Sequence, residues 1–291
     1  MNRPAPPDAR SPLKPGLYVI STPIGNARDI TLRALDILRD CDAIVAEDTR
    51  TTAKLLAIHA ISRPLLSYND HNAPRMRPAI LSRLAQDERI ALVSDAGTPL
   101  ISDPGYKLVR QAIAAGARVE AIPGASAALA ALVLSGLPTD RFLFAGFLPT
   151  TSGARRSALE ELKPIRASLI LFEAPRRLGE SLRDMREVLG PRSAAVAREM
   201  TKLHEEVRRG ELDVLAEFYT VGAAPRGEST IVVGPPPPDQ PDPGRADILL
   251  DKALAFMPVS AAADLVSDAL NMPRRTVYAR ALARKESRAD G

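Results

Sequence analysis

A chain of 291 residues with 45% hydrophobic side chains can bury a full core, and its length suits two domains and a small appendage. A single cysteine, Cys41, rules out a disulfide framework, and three histidines (His59, His71, His204) with no cysteine partner nearby argue against a structural zinc site. No apolar run reaches the length of a bilayer span, and the formal net charge is only +4.

Residues 1–15, rich in Pro and Ala and lacking the apolar core of a signal peptide, read as a disordered arm of a cytoplasmic protein. A strand over Leu17 to Ile20 then runs into Ser21-Thr22-Pro23-Ile24-Gly25-Asn26. Thr31 caps a helix whose Leu32, Leu35 and Leu38 recur at helical spacing, and a strand over Asp42 to Ala46 delivers Glu47-Asp48-Thr49-Arg50. Further helices fit Thr51 to Ala60, Met76 to Gln86 and Tyr106 to Ala115. Between the last two, the buried-strand run Ile90 to Val93 leads into Ser94-Asp95-Ala96-Gly97-Thr98-Pro99 and Ser102-Asp103-Pro104-Gly105, where Pro104 suits the first position of a helix capped by Ser102 or Asp103. Val119 to Ile122 ends in Pro123-Gly124-Ala125-Ser126-Ala127, which opens an apolar helix. Strand and helix in regular alternation predict a mostly parallel sheet with helices on both faces.

After Gly136-Leu137-Pro138 the pattern changes to strands over Arg141 to Gly146, Ser168 to Phe172, Ala194 to Arg198 and Ser229 to Val233, separated by longer polar helices. Pro235 to Pro243 reads as a stiff linker, and helices follow over Ala246 to Leu254, Val259 to Leu270 and, strongly basic, from Arg274. The expected division is an arm (1–15), an N-terminal α/β domain (16–137), a second α/β domain (138–234), a linker (235–245) and a helical C-terminal module (246–291). Charge divides unevenly: Gly16 to Asp140 holds thirteen basic and thirteen acidic residues, whereas Arg141 to Arg209 holds fourteen basic and nine acidic. That asymmetry suits a polyanionic partner held near a neutral crevice.

Four Gly/Pro-rich or acidic corners thus follow strands of one sheet, and ligands of open α/β sheets settle outside the carboxyl ends of strands. Neither G-x-G-x-x-G nor G-x-x-x-x-G-K-[ST] occurs, so the phosphate cradles of dinucleotide enzymes and P-loop hydrolases are missing. Thr22 to Asn26, Ala46 to Arg50, Asp70-His71-Asn72, Ser94 to Pro99, Asp103-Pro104-Gly105 and Gly136 to Phe142 together resemble the ribosomal small subunit methyltransferase I family, a branch of the tetrapyrrole methylases. The resemblance runs from about Gly16 to Gly234, with a weaker extension to Leu282. One departure is visible: where the family usually reads Glu-Ser-Pro-His-Arg, this chain has Glu173-Ala174-Pro175-Arg176-Arg177.

The resemblance implies two α/β domains of tetrapyrrole-methylase type with S-adenosylmethionine in the crevice between them; the four corners and the missing phosphate motifs suit that cofactor, with no metal expected. It implies 2′-O-methylation of a cytidine in the decoding centre of 16S rRNA, by a cytoplasmic homodimer acting on 16S rRNA or the small ribosomal subunit. Its cofactor loops correspond here to Pro23, Asp95, Gly97, Thr98, Gly124, Ala125, Ser126 and Ala127, closed from the second domain by Phe172 and Ser229. The attacking hydroxyl needs a proton acceptor, for which Asp48, His71, Glu47 and Asp70 are the candidates, with Asp48 and His71 leading. Arg155, Arg156, Arg176 and Arg177, in the basic half, are the expected phosphate contacts. With 4% aromatic residues and no Trp, extensive base stacking is not expected. Two rival readings are a methylase of a small tetrapyrrole on the same fold and a non-catalytic RNA-binding assembly protein.

Overall fold

The computed structural model describes residues 12–221, 227–237, 243–270 and 272–289. The expected arm lies outside the described residues up to position 11, and so do linker positions 238–242. The chain forms two compact units, one ending at Pro236 and one beginning at Pro237.

The first unit opens with a wholly parallel sheet of five short strands: β1 (Gly16–Ile20), β2 (Ala43–Ala46), β3 (Leu65–Ser67), β4 (Arg89–Val93) and β5 (Val119–Ile122), in the order β3-β2-β4-β1-β5. Because side chains alternate across a strand, Leu17, Val45, Ile90 and Leu92 point to one face and Tyr18, Ile44, Ala46, Ala91 and Val93 to the other. Helices α1 (Leu32–Asp40) and α2 (Thr49–Ile58) cover the second face, while α3 (Ala73–Leu84) and α4 (Tyr106–Ala114) cover the first. Thr31 caps α1 as the sequence suggests, its hydroxyl accepting from the Ala34 amide at 3.2 Å. Parallel strands put β1, β2, β4 and β5 in register with their carboxyl ends at one edge, where all four corners emerge.

Helix α5 (Ala127–Ser135) follows β5 but packs on the second sheet, through Ala128, Ala131 and Leu132 against Ile170, Ala197 and Val232. That sheet contains β6 (Phe142–Phe147), β7 (Ser168–Glu173), β8 (Ser193–Arg198), β9 (Glu206–Glu211) and β10 (Ser229–Val233), ordered β6-β7-β10-β8-β9 with only the first pair parallel. Its other face is buried by α6 (Ser152–Leu162), α7 (Leu178–Leu189) and α8 (Leu212–Val221). Strand β9 has no counterpart in the sequence reading: Glu-Val-Arg-Arg-Gly-Glu offers no apolar alternation and is a strand only because β8 supplies its hydrogen bonds. Its charges also protect the sheet edge it forms.

The second unit is three helices, α9 (Pro243–Ala253), α10 (Val259–Leu270) and α11 (Arg274–Ala289), closed around Ala246, Leu250, Ala262, Val266, Val277 and Ala281. Three of the arginines that make α11 look basic are tied to acids of its neighbours: Arg280 to Asp247 at 2.9 Å, Arg284 to Asp251, and Arg274 to Asp264. Among the described residues no helix is long and apolar enough to cross a membrane.

Candidate active site

Between the carboxyl edge of the first sheet and the second sheet lies a cavity of about 420 Å³. From the first side it is lined by Ile24, Glu47, Asp95 to Thr98, Ile101 to Asp103, Ser126 and Ala127, and from the second by Phe147, Phe172 to Pro175, Glu199, Met200 and Gly227 to Thr230. Backbone geometry shapes the loop after β4. Thr22 and Gly97 exchange both backbone bonds (2.8 and 3.0 Å), and Gly97 holds φ +78°, a left-handed value open to glycine. Leu100 and Ser102 are also left-handed, at φ 74° and 68°, an unusual pair of non-glycine residues. The loop therefore coils before α4 can start. The helix begins at Tyr106 with Gly105 as its cap, so neither Ser102 nor Asp103 caps it and Pro104 is not its first residue. Asp103 instead lines the cavity.

Among the described residues the lining includes six carboxylates (Glu47, Asp95, Asp103, Glu173, Glu199, Glu228) and no Lys, Arg or His, although Glu173 pairs with Arg177, and Glu199 and Glu228 with Lys202. Burial, with Asp103, Asp95, Asp70 and Asp48 nearby, pushes Glu47 up to about 7. Burial likewise raises Asp103 to about 6, Asp95 adding to the effect and a hydrogen bond with Ser94 opposing it. Asp95 is raised by burial too, although it accepts the Asp48 amide at 3.0 Å. Such a wall favours a cation. On the second-sheet side, beside Glu173, Glu199 and Glu228, Phe172 meets Phe144 and Phe147 edge to face, at 4.9 and 5.5 Å between ring centres, giving an apolar patch.

Of the residues the resemblance gives to a cofactor, Asp95, Gly97, Thr98, Ser126, Ala127, Phe172 and Ser229 line the cavity. Pro23 lies in an adjoining groove. Ala125 presents its carbonyl to the Thr98 hydroxyl at 3.3 Å, and Gly124 packs against Ser21, where a Cβ would come within 2.9 Å of that residue's own. Among the proton-acceptor candidates only Glu47 lines the cavity. Asp48 caps α2 and is gripped by Arg50, whose Nη2 donates at 2.6 Å; those bonds hold its carboxyl down at about 2. Asp70 and His71 are exposed beside Asn72, which caps α3, and His71 caps nothing. Of the four, Glu47 reaches the cavity and the leading pair, Asp48 and His71, does not line it. Asp103, Glu199 and Glu228 were not foreseen; only the carboxyl-edge position of Asp103 hints at it.

The basic cluster also dissolves. Arg155 is 1% exposed, its Nε donating to Asp184 at 2.6 Å beneath α6, and has no surface to offer a phosphate. Arg156 pairs with Asp184 and Glu187 (2.8 and 2.6 Å), and Arg177 turns in to the buried Glu173. Only Arg176 of the four is exposed without an ion pair among the described residues.

Residues 16–216 match the family Tetrapyrrole (Corrin/Porphyrin) Methylases, and residues 240–285 match the RsmI C-terminal HTH domain. The chain is 48% identical to the ribosomal RNA small subunit methyltransferase I of Mesorhizobium japonicum, covering 96% of both chains. It belongs to that family. The Erythrobacter litoralis methyltransferase is 52% identical over 93% of this chain and 96% of its own, and that of Pseudomonas aeruginosa 43% identical over 92% and 97%. Solved structures share the methylase fold at low identity. Diphthine synthase aligns with a TM-score of 0.59 and 15% identity over 75% of this chain and 89% of its own. The uroporphyrin-III C-methyltransferase of Thermus thermophilus, complexed with S-adenyl homocysteine, aligns with a TM-score of 0.52 and 19% identity over 75% and 97%.

Proposed function

We propose that this methyltransferase uses S-adenosylmethionine to methylate the ribose 2′-oxygen of a cytidine in the decoding centre of 16S rRNA. The carrying observation is the cavity itself: the carboxylates of Glu47, Asp95 and Asp103, without an ion pair among the described residues, on the first-sheet side, and the apolar rings of Phe147 and Phe172 on the other. When bound, S-adenosylmethionine supplies a methyl group on a positively charged sulfur, and it also carries an ammonium group. Asp95 and Asp103 suit those charges, while Phe172, Phe147 and Met200 exclude water from the reacting atoms. A phosphate-bearing cofactor fits such a wall poorly, because like charges would face one another.

In-line methyl transfer needs alignment and a place for one proton. Glu47, with an acidity near neutral and no hydrogen bond of its own among the described residues, suits the role of taking that proton from the hydroxyl. A tetrapyrrole acceptor is disfavoured by the same wall, since that macrocycle carries carboxylates around its rim. We place the activity in the cytoplasm, where rRNA is made, and in a homodimer, for which the exposed Leu129 and Val133 of the apolar α5 offer a surface.

The test is transfer of labelled methyl from S-adenosylmethionine to small subunits from cells lacking the enzyme, with the product mapped by mass spectrometry. One ribose-methylated cytidine is expected. Label on a base, or no label on rRNA, would reject the reading.

A further inference from the structure

A second hollow of about 260 Å³ opens beside the cavity and shares Ile24, Asp95, Ala96 and Glu228 with it. Its walls are Ile24, Leu55 and Ile58, with the Lys202 stem lying across Gly25. A Cβ at Gly25 would come within 2.6 Å of Lys202 Cγ, so glycine is what lets that stem approach. The Lys202 ammonium is held by Glu199 and Glu228 at 3.0 and 3.2 Å, fixing this wall to the rim of the cavity.

Outside the hollow the charge reverses. Arg50, Lys54 and Ile58 recur every fourth residue along α2 and so share one face; Arg50 is 86% exposed and Ile58 66% exposed. The His59 ring bonds the Ala27 carbonyl at 3.0 Å, which sets Arg28 beside the end of α2. Arg28 and Lys54 are exposed, and neither forms an ion pair among the described residues. The surface thus pairs an apolar slot leading to an acidic cavity with free cations on its outer lip. A ligand neutral at its tip and anionic at its flanks matches that order, and a nucleotide within a single strand is such a ligand: base and sugar are neutral, and each neighbouring phosphate is charged.

Resting on the function proposed above, we infer that this hollow is the acceptor subsite, taking one unpaired nucleoside of the RNA against Ile24, Leu55 and Ile58 while Arg28 and Lys54 hold the adjacent phosphates. Its ribose then lies where the hollow joins the cavity, at Asp95 and Ala96.

The experiment uses the full chain, a labelled 16S rRNA fragment for binding, and calorimetry for the cofactor. The double variant Arg28→Ala, Lys54→Ala should flatten the log–log salt dependence of RNA affinity by about 1.4, the value for two lost single-strand phosphate contacts. Ile58→Glu, at an exposed helix end, should raise KM for RNA about tenfold by putting a charge in the slot, with cofactor affinity as in the parent. A parental salt slope in the double variant or a parental KM in Ile58→Glu would overturn the subsite. Loss of cofactor affinity in either would overturn it too, by making the hollow part of the cofactor site. Failure of the parent protein to methylate rRNA would instead reject the function, and the binding measurements would still report whether RNA occupies the hollow.

Discussion

Two neighbouring carboxylates at the end of β2 have opposite acidities. Asp48 is held at about 2 by the Arg50 side chain and amide, whereas Glu47, turned into the cavity, is pushed by burial to about 7. A weak base cannot assist well, so Glu47→Gln should slow single-turnover methylation by about a hundredfold or more and remove the limb of the pH profile near neutrality, while Asp48→Asn keeps that limb. Stability gives a second reading of the same group. Between its ordinary value of 4.5 and about 7, the folded chain holds a proton on Glu47 that the unfolded chain has released, so stability falls as pH rises through that window. Glu47→Gln should therefore match the parent near pH 4.5 and exceed it above pH 7, by about 1 kcal/mol after allowing for solvent screening, as urea midpoints would register. The sequence supplied both residues but not the choice between them, because their spacing is the same whether the side chain turns toward solvent or cavity. His71 shows the converse: an imidazole is a common proton acceptor, and only the fold leaves this one outside.

At the level of elements, the Arg155 pair decides how α6 sits on α7. The Asp184 carboxylate, 4% exposed, accepts from Ser152, Arg155 and Arg156, so it ties the start of α6 to the middle of α7. Arg155→Met should cost about 3 kcal/mol of stability by leaving a buried carboxylate short of its main partner, and RNA affinity measured on the same preparation should not change. An arginine in a basic stretch reads as surface until a buried acid nearly thirty residues away is known to face it. The regular β-α alternation of the first half was readable because each strand there is an apolar run flanked by corner residues. Strand β9 and the late start of α4 were not, since one depends on a neighbouring strand and the other on left-handed Leu100 and Ser102.

For the molecule as a whole, the parallel first sheet gathers four corners at one edge, and the mixed second sheet faces them with aromatic and acidic side chains. The first-sheet half of the cavity could be traced from the corner motifs. The opposing half depended on the family resemblance, because nothing local to Phe172 or Ser229 marks them. One consequence of the acidic wall concerns turnover. Donation of the methyl group leaves the sulfur uncharged, so the spent molecule meets the same carboxylates with one positive charge fewer. The site thereby grips what it must use and loosens its hold on what it must discard. That preference, read as the ratio of the two affinities by calorimetry, should widen between pH 5 and pH 8 as Asp103 and Glu47 ionise, and should widen less in Glu47→Gln.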